Sequence, residues 1–81
     1  EMLDEVVDAT FAMSKTKTGA LIVFEKNIGL AGIINTAVPL SSKVSSQLLQ
    51  SIFFKNSPLH DGAVVIQSDK LVAARAVLPL T

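Results

Sequence analysis

Apolar and polar positions along this chain fall into helical spacing, then strand-like runs, then helical spacing again. Leu3, Val6, Val7 and Phe11 recur at intervals of three and four, with Asp4, Glu5 and Asp8 largely on the other side. That period predicts an amphipathic helix over the first fourteen residues. Its early carboxylates suit the positive end of a helix dipole. Ser14 to Gly19 breaks the pattern, and Ala20-Leu21-Ile22-Val23-Phe24 follows as a short continuous apolar run. Its length and branched side chains predict a strand buried on both faces. Glu25 to Gly29 ends it. Leu30 to Val38 is open: Ile33-Ile34 suits a helical turn, and Thr36-Ala37-Val38 a brief strand before Pro39.

Ser41 or Ser42 is an N-cap candidate for a second helix, in which Val44, Leu48 and Ile52 repeat every four residues and Leu49 and Phe53 widen the face. Phe54 to Pro58 reads as loop, because Asn56, Ser57 and Pro58 cluster there. Gly62 to Ile66 is the second strand, Gln67 to Lys70 a polar turn, and Leu71 to Leu78 the third strand, stopped by Pro79. So short a connection predicts an antiparallel hairpin. The fold class is α/β, within one domain. Strands apolar on both faces need cover on both sides, and two helices supply too little. The pattern therefore predicts further chain after Thr81.

Composition sharpens this. Of the 81 residues, 49% are apolar, which is more apolar surface than so small a globule readily hides. Either a second copy or more chain is expected to cover it. Seven basic and seven acidic residues cancel, so a polyanion-binding stripe, and with it nonspecific nucleic-acid binding, has no electrostatic support. The lack of cysteine excludes disulfides, thiolate metal sites and cysteine nucleophiles. No apolar run approaches the ~20 residues that span a bilayer, and the acidic start does not resemble a signal peptide. The chain opens inside a helix, which leaves room for a membrane segment upstream.

The candidate chemistry lies in Pro58-Leu59-His60-Asp61-Gly62-Ala63. It holds the only histidine of the chain, beside a carboxylate, at the entry to a strand. An imidazole and a carboxylate together suit divalent ions such as Mn²⁺ or Zn²⁺, whereas Mg²⁺ would rely on the carboxylate. The competing reading is a loop pair that caps a strand. Neighbours in a regular strand point to opposite faces, so the two converge on one ion only if the corner is irregular. Gly62 and Ala63 are small enough to let a flat ligand or a backbone approach. Arg75 is a cation in an apolar strand; by alternation it shares a face with Ala73 and Val77, and it meets a phosphate only if that face opens to the site. A serine hydrolase is excluded for want of a Gly-x-Ser-x-Gly elbow. Gly29-Leu30-Ala31-Gly32 lacks the lysine and the spacing of a phosphate-binding P-loop.

Four segments, in order, resemble the diadenylate cyclase domain, and within it the membrane-anchored bacterial type. They are Thr18 to Glu25, Lys43 to Leu49, Asn56 to Val64, and Leu78-Pro79-Leu80. The resemblance implies a mixed, twisted β-sheet flanked by helices, incomplete here, with residues 1–81 as the N-terminal portion of a single catalytic domain. It implies condensation of two ATP into cyclic di-AMP with release of two pyrophosphates, by two domains face to face. Asp61 then matches the acid of the Asp-Gly-Ala motif, binding metal (Mn²⁺ or Mg²⁺) and activating the 3′-hydroxyl. By the same resemblance His60 matches the histidine before that acid and is implied as a second metal ligand. The resemblance further implies that Gly62 and Ala63 lie against the nucleotide, that Val77 packs near the base, and that Leu78 offers its backbone to the adenine edge. Related sequences often carry an aromatic at the position of Val77. The family's Arg-His-Arg motif and downstream glutamate have no counterpart in these residues. The implied location is the cytoplasmic face of the cell membrane, attached only through a segment outside this sequence.

A non-catalytic adenine-nucleotide-binding module, or an interaction domain whose apolar excess is a partner surface, is the alternative. About half of the motifs implied by the resemblance are present. These 81 residues alone are accordingly expected to make no cyclic di-AMP from ATP and Mn²⁺; product from the purified chain, detected by chromatography, would overturn that.

Overall fold

The structure is a computed structural model, and it describes residues 1–25 and 37–77. Helix α1 is Met2–Lys15 and strand β1 is Ile22–Glu25. Strand β2 is Val38–Lys43, helix α2 is Ser46–Phe53, and β3 (Ala63–Gln67) and β4 (Lys70–Ala76) follow. The open segment Leu30 to Val38 lies outside the described residues up to position 36, as does the end predicted for the first strand after Glu25. The four strands form one mixed sheet in the order β1-β3-β4-β2. β1 pairs parallel with β3, and β4 pairs antiparallel with both β3 and β2. The α/β class is as expected.

The predicted hairpin is present. Ser68 and Asp69 are its two loop residues, and both take positive φ (51° and 64°), the backbone twist that suits a tight hairpin. The break after α1 has equally local causes. The amide of Lys17 donates to the Ser14 carbonyl and that of Thr18 to the Met13 carbonyl, with Lys17 left-handed at φ 56°. This is the Schellman pattern that closes a helix, with lysine where glycine is commoner.

Three expectations need correction. First, α1 buries Ala9 and Met13 and packs Met2 and Val6 beside them, while Leu3, Val7 and Phe11 stand at least half exposed. The helix carries two apolar stripes, and long-range contacts select between them. The Glu5 carboxylate accepts a 2.8 Å hydrogen bond from the Ser46 amide at the start of α2. A carboxylate at a helix N-terminus meets orphan N–H groups and the positive dipole end. That bond turns Glu5, and the Met2/Val6/Ala9/Met13 stripe next to it, inward. Second, α2 is capped by Ser45, whose Oγ accepts from the Leu48 amide at 3.0 Å. Ser41 and Ser42 belong to β2, which runs on through Pro39. Among the described residues β2 is the sheet's last strand, where a proline without an N–H costs no ladder bond on the side away from β4. Third, β1 is also at the sheet's margin among the described residues; Ile22 and Val23 are half-buried on opposite faces and Phe24 is 49% exposed, so the strand's burial is partial on both faces.

The main core lies between the helices and one face of the sheet. Leu49, Ile52 and Phe53 of α2 meet Val64, Ile66, Leu71 and Ala74, with Val44 between. A second cluster, Ala63, Val65, Ala73 and Ala76, forms on the opposite face. Replacing Ser45→Ala removes one capping acceptor. It is expected to lower stability by about 1 kcal/mol, measured by urea denaturation; an unchanged midpoint would show that the Glu5 contact alone secures this helix start.

Candidate functional site

The predicted corner gathers at one edge of the sheet. Residues 60–62 lead into β3, Leu21 leads into β1, Ala37 and Val38 begin β2, and Arg75 to Val77 finish β4. The site thus faces the N-terminal ends of the parallel pair β1 and β3. That is the reverse of open parallel sheets, where ligands sit at the carboxyl ends. Here the antiparallel neighbour β4 brings its own C-terminal end to the same edge.

Gly62 is the hinge of this corner. Its φ is +131°, a conformation that side-chain-bearing residues rarely adopt. A Cβ placed on it would come within 2.8–2.9 Å of the Arg75 backbone and the Ala76 carbonyl oxygen. Glycine is therefore required twice, by its dihedral and by backbone contact across the ladder. The strand it touches is irregular. Ala63 pairs with Ala76 and Val65 with Ala73, so Ala74 and Arg75 together oppose Val64. This is a β-bulge, and Arg75 in it takes φ 59°. The bulge cancels the alternation that put Arg75 on the face of Ala73. Ala73 and Ala76 share the second core cluster, and Arg75 is exposed.

Two cavities open at this edge, with Leu21 and Gly62 in the wall of both. One, of about 620 Å³, is lined by Asp61, Arg75, Val77, Ala76 and the start of β2. The other, of about 690 Å³, is lined by His60, Lys17, Lys55, Phe53, Phe54 and the Thr16 to Ala20 segment. Both are of a size that holds small organic ligands. Asp61 and His60 are both exposed but line different cavities. Val77 is 67% exposed beside Asp61. Ala63 is fully buried beneath this edge, so its smallness serves packing in the sheet. Leu78 lies outside the described residues.

The loop before the corner orients the histidine. The His60 Nδ1 lies 2.8 Å from the Ser57 carbonyl oxygen. A carbonyl only accepts, so Nδ1 carries the proton and Nε2 keeps its lone pair in the neutral ring, the usual arrangement of a ligating histidine. Ser57 is held in turn: its amide donates to the Phe54 carbonyl and its Oγ accepts from the Leu59 amide. Among the described residues no three His, Cys, Asp or Glu side chains come together. Among the described residues this edge offers the Asp61 carboxylate, a hard donor that fits a divalent ion carried with a phosphorylated substrate, and an oriented imidazole that lines the other cavity. Sequence reasoning missed the shared cavity of Arg75 and Asp61 and the role of the Ser57 carbonyl, since no residue pattern announces a bulge or a backbone acceptor.

A mixed α/β domain with a carboxylate, a hinge glycine and two ligand-sized cavities at one sheet edge is the class these features define. Residues 7–81 match the family described as DisA bacterial checkpoint controller nucleotide-binding, and the chain belongs to that family. It is similar to the cyclic di-AMP synthase CdaA of Bacillus subtilis, 42% identical over 79 residues, covering 98% of this chain and 29% of that protein. It is similar to cyclic di-AMP synthase CdaS of the same organism, 46% identical over 77 residues, covering 95% of this chain and 37% of that protein. In three dimensions it matches DacA from Staphylococcus aureus (an N166C/T172C double mutant), with a TM-score of 0.93 and 45% identity over 99% of this chain and 53% of that one. The chain thus spans about a third of these curated relatives.

Gly62→Ala is expected to cost on the order of 2–3 kcal/mol, the strain of a forbidden φ plus a displaced strand. Urea denaturation measures it, and a loss below about 0.5 kcal/mol, the range of an ordinary surface change, would contradict the close approach.

Proposed function

We propose that this chain forms the Asp61 side of a diadenylate cyclase site, in a protein that condenses two ATP into cyclic di-AMP. The observation that supports it most is the exposed Asp61 beside Gly62 in a 620 Å³ cavity, within a chain of the matching family. In the reaction, the 3′-hydroxyl oxygen of each ATP attacks the α-phosphorus of the other. A new P–O bond forms, the α–β bond breaks, and pyrophosphate leaves. The hydroxyl proton must be taken up, and the proposal gives that role to Asp61, the carboxylate lining this cavity. Gly62 lets the ribose approach the backbone, Val77 gives an apolar wall for the base, and Leu78 would meet the adenine edge. A divalent ion, Mn²⁺ or Mg²⁺, held by Asp61 would lower the hydroxyl pKa and neutralise the phosphates; His60 lines the neighbouring cavity and is not proposed as a ligand of that same ion.

Each attack needs a nucleotide on a facing domain, so the partner is a second copy of this domain. Alignment of hydroxyl and phosphorus is the main physical contribution of that pairing. No helix of the described residues is long and apolar enough to cross a membrane. Anchoring at the cytoplasmic face of the cell membrane is part of the proposal by likeness to the membrane-anchored type, through chain outside this sequence.

Asp61→Asn in the full-length protein keeps the shape and removes the charge. Cyclic di-AMP formation is expected to fall at least about a hundredfold, followed by chromatography of ATP turnover. Undiminished turnover would remove Asp61 from the site, and retained ATP binding without turnover in the unaltered protein would favour a binding module.

A further inference from the structure

Arg75 is a charged residue in the wall of Asp61's cavity that the proposed chemistry does not use. It is held in a bulge, at a left-handed φ of 59° that glycine would adopt freely, with its backbone clamped against Gly62. Bulges re-aim side chains, and backbone strain on a non-glycine residue concentrates at functional sites. The re-aimed side chain is exposed and lines the same cavity as Asp61 and Val77. Among the described residues it has no ion-pair or hydrogen-bond partner.

The charges around that cavity decide what Arg75 meets. Asp61 is its one anion and Arg75 its one cation among the described residues; the rest of the lining is apolar or glycine. A nucleoside triphosphate entering beside Asp61 brings several negative charges into a cavity that otherwise repels them. A guanidinium is always charged and presents paired N–H donors that match a phosphate's oxygens. We infer that Arg75 binds the phosphate chain of the nucleotide held at Asp61, an inference that rests on reading this edge as an ATP site. The bulge is then the device that turns a strand residue out of the sheet and into the phosphate path.

The test uses the full-length protein with Arg75→Ala, Arg75→Gly and Arg75→Lys. Calorimetry gives the affinity of each for ATP and for adenosine, which has the base and ribose but no phosphate. The alanine and glycine variants are expected to bind ATP about 10- to 100-fold more weakly, with adenosine affinity unchanged. Lysine should recover part of the loss. Arg75→Gly relieves the backbone, so its melting temperature should equal or exceed that of the unaltered protein, which separates lost binding from lost folding. ATP affinity unchanged in both alanine and glycine variants, or equal losses for ATP and adenosine, would overturn the assignment. If the unaltered protein binds ATP and Asp61→Asn abolishes turnover, such a result removes Arg75 alone. An unaltered protein that binds no ATP removes both readings.

Discussion

The close approach of Gly62 to the backbone of Arg75 is the contact on which the candidate site depends. With 2.8–2.9 Å left for any added Cβ, the chain entering β3 lies directly against the bulge in β4. That contact does three things. It gives residues 60 and 61 a non-strand backbone, so the imidazole and carboxylate open into neighbouring cavities. It leaves a shared wall, Leu21 and Gly62, between those cavities. It also seats the bulge that takes Arg75 out of the sheet's alternation. A side chain at position 62 would push the two strands apart and undo all three.

The rest of the fold keeps this edge still. The sheet strands behind it carry buried side chains on both faces: Val64 and Ile66 toward the helices, Ala63 and Val65 on the other side. Small residues, Ala73, Ala74 and Ala76, fill β4 where the bulge distorts it. They tolerate an irregular ladder because little side-chain volume has to be accommodated. The helices are tied to each other by the Glu5 carboxylate at the start of α2, and α2 sets Phe53 and Phe54 beside His60's cavity. A charge–dipole bond at the start of α2 thus helps place apolar walls at its end.

Most of the elements were legible in the residues, for local reasons. The period of Leu48, Leu49, Ile52 and Phe53 marks α2, and Val64 to Ile66 marks a strand, because burial imposes those spacings. The polar turn at Ser68-Asp69 separates two apolar runs too closely for anything but a hairpin. The motif around Asp61 was legible too, as was its family. What could not be read locally is which of two apolar stripes α1 buries, since Met2/Val6 and Leu3/Val7 are equally periodic. Ser41, Ser42 and Ser45 are equally able to cap, and only the extension of β2 past Pro39 selects the third.

The amino-acid sequence by itself determined the α/β class, the order of helix and strand, the hairpin, the absence of thiol chemistry, and the candidate corner from His60 to Ala63. These follow from side-chain type and near-neighbour spacing. Tertiary structure alone decided the rotation of α1, the margin position of β1 and β2 among the described residues, the division of His60 and Asp61 between two cavities, and the placing of Arg75 in the cavity of Asp61. Each of these rests on contacts between residues distant in sequence, Glu5 with Ser46 and Gly62 with Arg75 among them. A pairing register with two residues opposite one has no signature in composition or period, because it exists only once both strands are in place.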